Sequence, residues 1–64
     1  MDRAEVRESL LALAVYCRKC RDKYNMDAHK LNDEQRPLLA QRYAGSADAY
    51  ADMLRRIEFL EERV

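Results

Sequence analysis

Residues that interrupt helices are nearly missing from this sequence. Among 64 residues there is one glycine, Gly45, and one proline, Pro37, so few points exist where a helix has to stop. Charge of one sign is missing too. Twelve basic and twelve acidic side chains cancel, which removes any overall field drawing the chain onto nucleic acid or an anionic membrane; such binding needs a local patch. The longest apolar run, Leu10 to Tyr16, is seven residues, far below the roughly 20 of a membrane-spanning helix. The opening residues MDRAEVRE mix charges and no small-residue cleavage site follows, so no secretory signal is expected. The expected location is therefore the cytoplasm, with Cys17 and Cys20 as reduced thiols.

Catalytic apparatus is equally scarce. His29 is the only histidine, no glycine-rich loop is available to hold a phosphate, and no serine has a nearby base. The expectation is a protein that is not an enzyme and has no cofactor.

What is present is a helical pattern built from alanine, leucine, arginine and glutamate, all strong helix formers. The apolar positions Val6, Leu10, Leu13, Cys17, Cys20, Tyr24 and Leu31 step by four and three, a heptad stripe with a final gap of seven. Asp27 interrupts it and Ala28 partly restores the seam. Asp2 is placed to cap this helix, with Glu5 completing a capping box. In the second half Ala40, Tyr43, Ala47, Tyr50, Leu54 and Ile57 repeat the pattern. Leu39, Met53 and Leu60 widen it on one flank, and Val64 continues it.

The expected fold is all-α: an antiparallel hairpin with helix 1 over about 2–30, a turn at 31–33 and helix 2 over about 34–63. Asn32 and Asp33 suit the turn, and Pro37 suits the first turn of the second helix. Gly45-Ser46 allows a kink or a break, but the stripe keeps its phase across the pair, which favours one continuous helix. A 64-residue chain buries only about 60% of its unfolded surface. Two hairpins pairing into a dimeric four-helix bundle would bury more.

Four candidate features carry functional weight. The CxxC at Cys17 and Cys20 invites a metal or redox reading with His29 as the third ligand. Cys20 and His29, however, lie about 180° and about 13.5 Å apart on one helix, and zinc needs its ligands within about 2.3 Å of a point. No metal is expected, and the cysteines read as small core residues. Arg18, Lys19, Arg21 and Lys23 form a basic segment that, doubled in a dimer, would lie along phosphates. The competing reading pairs Arg18 with Asp22, Lys23 with Asp27 and Lys30 with Glu34 on a solvated face. Folding the hairpin brings Tyr24 near Tyr43 and Tyr16 near Tyr50, giving two tyrosine layers. Lastly, Leu11, Ala12, Val15 and Phe59 are apolar on the side away from the seam, at the open end of the hairpin, and exposed clusters of this kind mark protein–protein surfaces.

The expected function is a small interaction module, an adaptor, chaperone or inhibitor. It would bind itself, as a dimer, or a protein partner through this apolar surface. Frequent alanine, and nine arginines to three lysines, fit a GC-rich bacterial or phage genome. The alternative is a nucleic-acid-binding regulator that uses the basic segment in a helical-bundle dimer.

Overall fold

The computed structural model describes residues 2–64 and consists of two helices, α1 (Arg3–Asp33) and α2 (Pro37–Arg63), packed side by side. Asp2 opens α1: its backbone is extended and its carboxylate accepts the Glu5 N–H at 2.9 Å. One of the four donors left free at the helix start is thereby satisfied.

The turn lies three residues further along than the sequence suggests. Asn32 and Asp33 stay helical, and α1 ends through backbone bonds from Arg36 N–H to Leu31 C=O, 2.8 Å, and from Gln35 N–H to Asn32 C=O, 3.0 Å. This pair of bonds is a Schellman motif, which requires a left-handed residue just past the helix end. Gln35 fills that place with φ 60°. Pro37 follows at the first position of α2, where a missing N–H is harmless. Arg36, as the residue before proline, is held out of the helical region at φ −118°, ψ 66°.

α2 runs unbroken through Gly45 and Ser46. The Ser46 hydroxyl donates to the Arg42 carbonyl at 3.3 Å, so the serine is satisfied inside the helix and caps no new one. Neither helix is long and apolar enough to cross a membrane.

The seam is narrow and lined with alanine. Ala14, Cys17, Ala28, Ala40, Ala47, Leu54 and Ile57 are buried, with Ala14, Cys17, Leu54 and Ile57 forming the cluster against which Leu10 and Tyr50 pack. All six α2 positions expected in the seam are buried or half-buried there. On α1 one expected position is displaced: Leu13 is 51% exposed, and its neighbour Ala14, at 2%, takes the inner place. Leu54 and Ile57 fill the seam at this level, and a methyl group fits against them with less spreading of the helices than a leucine requires. Ala14 and Ala28 thus replace Leu13 and Asp27 as the second edge of the stripe, and Leu13 turns about 100° aside. Leu60, expected to extend the apolar side, is also exposed.

The result is a rod with extents of 49 × 14 × 13 Å and a radius of gyration of 14.8 Å, against about 10.7 Å for a compact chain of this length.

Candidate functional site

The open half of the hairpin holds most of the unburied apolar surface, and two contacts identify its two sides. Arg18 reaches Glu58 across the helices at 4.0 Å. On the other flank of the seam Tyr16 meets Tyr50 edge to face, ring centroids 6.4 Å apart. At 100° per residue, Arg7 and Leu11 fall on the Arg18 side, and a shallow groove lined by Arg7, Leu11, Arg18, Glu58, Glu61 and Glu62 runs along it. One oxygen of the Glu61 carboxylate is buried there without a hydrogen-bond partner. The same stepping places Leu13, Tyr16 and Cys20 of α1 on the opposite side, across from Met53 and Leu60 of α2. Leu13, Tyr16, Met53 and Leu60 are all exposed. In the open half one side is therefore charged and the other largely apolar.

Leu11, Ala12, Val15 and Phe59 are all exposed, the three larger ones at 49%, 47% and 53% respectively. Leu11 and Val15, four residues apart, share one stripe of α1. Leu11 sits between arginines and glutamates in the charged groove. Phe59 lies under the Arg63 guanidinium, 4.2 Å from the ring centroid, a cation–π contact that gives its ring an intramolecular partner. On the opposite side Tyr16 leans on Tyr50, while Leu13, Met53 and Leu60 stand exposed. The sequence signal for it was the stripe Met53 and Leu60, seven residues apart, together with the i,i+3 pair Leu13 and Tyr16, which reads equally well as seam until Ala14 is seen to take the inner place.

The tyrosines form a ladder. Tyr24 meets Tyr43 at 5.7 Å and 85°, as the hairpin register requires, and Tyr24 also stacks on Tyr50 at 5.8 Å and 16°. This second contact joins the two layers into one. Cys20, half-buried, stands beside Tyr16 and Tyr50 and raises the pKa of both hydroxyls above 10.0. For Tyr16 the first cause is side-chain hydrogen bonding with Cys20; for Tyr50 it is electrostatic repulsion from the neighbouring Cys20 side chain.

Cys17 is a core residue, 1% exposed, and His29 is exposed on α1. Among the described residues no three His, Cys, Asp or Glu side chains are grouped to hold a metal ion. In the basic segment, Arg18 pairs with Glu58 instead of Asp22, and Arg21 takes Asp22 at 3.1 Å. The Arg18, Lys19, Arg21 and Lys23 side chains are spread over more than half the circumference of α1 at 100° per residue, so they do not share one face.

No protein family matches the chain, and neither a curated protein nor a solved structure does.

Proposed function

We propose that this hairpin is a non-enzymatic interaction module that binds a second copy of itself or a protein partner through the apolar surface of its open half. Self-association would make it a dimeric four-helix bundle. In a reducing cytoplasm Cys17 and Cys20 would remain thiols.

One observation carries the reading. The chain exposes 5249 Å², whereas a compact monomer of 7.6 kDa exposes about 4,300 Å². The excess is about 950 Å². Seven of the nine large exposed hydrophobics, all but Met26 and Leu38, lie within residues 11–16 and 53–60, where the two arms adjoin. The elongated shape of the rod accounts for that excess, and the clustering of large exposed hydrophobics in its open half marks a contact surface.

The nucleic-acid reading is the weaker of the two because its cations are partly engaged and point in several directions. It keeps a clear test: retardation of RNA or DNA at low salt, weakened by Arg18→Ala with Lys19→Ala.

The experiment for the main reading is molar mass by light scattering over a dilution series. A mass of twice 7.6 kDa supports self-association. A monomer at every concentration directs the apolar surface of the open half to a heterologous protein, to be read by binding with and without Asp substitutions on its two stripes, Leu11 with Val15 and Leu13 with Met53.

A further inference from the structure

We infer that a second copy of this chain covers the side carrying Leu13, Tyr16, Met53 and Leu60, the two hairpins meeting about a two-fold axis, and that Leu11, Val15 and Phe59 stay outside that contact. The inference rests on the reading of the hairpin as an interaction module and specifies its partner and its face.

Area is the first argument. The exposed excess of about 950 Å² is of the order of the roughly 800 Å² that each partner contributes to a standard interface.

Charge decides the side. A two-fold contact sets a surface against itself, so whatever one copy buries, the other buries too. On the charged side that would desolvate Arg7, Arg18, Glu58 and Glu62 from both copies, at a cost that ion pairing repays only with excellent geometry. The Leu13 side presents leucine, tyrosine, cysteine and methionine. The guanidinium at its rim, Arg56, is already paired with Asp52 at 3.1 Å.

Register is the third argument. Met53 and Leu60 repeat at seven residues, and Leu13, Tyr16 and Cys20 at three and four. That spacing is what interdigitating helices use as knobs and holes. The exposed Tyr16 ring, leaning on Tyr50, would lie in the new interface with its hydroxyl at the rim, where a half-wet phenol is suited.

The test uses the full chain. In the dimer, Leu13→Asp with Met53→Asp raises the dissociation constant by about 100-fold or more, while Leu11→Asp with Val15→Asp leaves the mass curve unchanged. Circular dichroism of each variant separates lost association from lost helix. A measurement without substitutions stands beside it: methionine oxidation by hydrogen peroxide. Met53 is 48% exposed and Met26 69% exposed in the single hairpin, so as a monomer the two oxidise at similar rates. In the dimer Met53 slows by about 10-fold relative to Met26 as its sulfur is covered.

A dimer that dissociates with Leu11→Asp and Val15→Asp, while Met53 oxidises freely, overturns this face and leaves the interaction module standing. A chain that is monomeric throughout, with Met53 oxidised as fast as Met26, overturns the second copy as occupant.

Discussion

The ring of Tyr24 stacks on that of Tyr50, 5.8 Å away and only 16° from parallel, and so joins the two helices along a seam where alanines leave little side chain to interlock. Tyr43 closes the ladder from one end and Tyr16 from the other. Tyr24, Tyr43 and Tyr50 are half-buried and add ring-to-ring contacts along a seam where Ala28, Ala40 and Ala47 present only methyl groups.

Tyr50 touches two of its three companions directly, so Tyr50→Ala is expected to destabilise the hairpin by about 2 kcal/mol, through lost burial and two lost aromatic pairs. Tyr50→Phe keeps the rings and should stay within about 0.5 kcal/mol of the parent. Urea unfolding at one fixed protein concentration reads both, since association shifts apparent stability.

The hydroxyls of Tyr16 and Tyr50 hold their protons more tightly in the folded hairpin than the ordinary value of 10.0. Above pH 10 the folded state then binds more protons than the unfolded one, and stability falls as pH rises. Their contribution is complete below pH 10 and is lost as pH passes through the raised folded values. Tyrosinate absorbance should show midpoints above 10 for these two residues, moving back toward 10 in Cys20→Ala. Midpoints unmoved by that substitution count against the thiol as the cause.

Gln35 adopts φ 60°, a conformation that costs an L side chain about 1 kcal/mol and glycine very little. Gln35→Gly is expected to stabilise the hairpin by no more than about 0.5 kcal/mol after the entropy that glycine adds to the unfolded chain. A lower denaturation midpoint in this variant would refute the Schellman assignment.

Gly45 sits mid-helix, and beyond its chain neighbours and the backbone of its own helix turns nothing lies within 4 Å of the position a Cβ would occupy. Gly45→Ala should therefore contribute close to the full helix-propensity difference, about 1 kcal/mol. Its stripe lies opposite the seam and away from Met53 and Leu60, so the molar mass should not change. A shift in mass would place Gly45 in a contact that this arrangement keeps it out of.

Much of this architecture is legible in single residues. The three-and-four steps from Ala40 to Ile57 specify the buried stripe of α2 because helical periodicity is a local property. Antiparallel register follows from the short turn, which is why the Tyr24–Tyr43 and Tyr16–Tyr50 pairs can be read before folding. Burial of Cys17 and exposure of His29 follow from the same wheel. The end of α1 is not announced in the same way. Asn32 and Asp33 carry a turn signal, yet a Schellman closure further along satisfies the carbonyls of Leu31 and Asn32, and Gln35 gives no glycine to announce it.

Tertiary structure alone decided between Leu13 and Ala14. Both lie on an apolar stretch of α1, and the choice depends on what fills the space across the seam. Leu54 and Ile57 occupy it, so the smaller side chain goes in and the larger one turns out. That single rotation separates an apolar side from a charged one, with Arg18 reaching Glu58 on the far flank. Periodicity within one helix states which residues share a stripe. Which stripe faces inward depends on volumes contributed by the other helix, and these meet only when the chain folds.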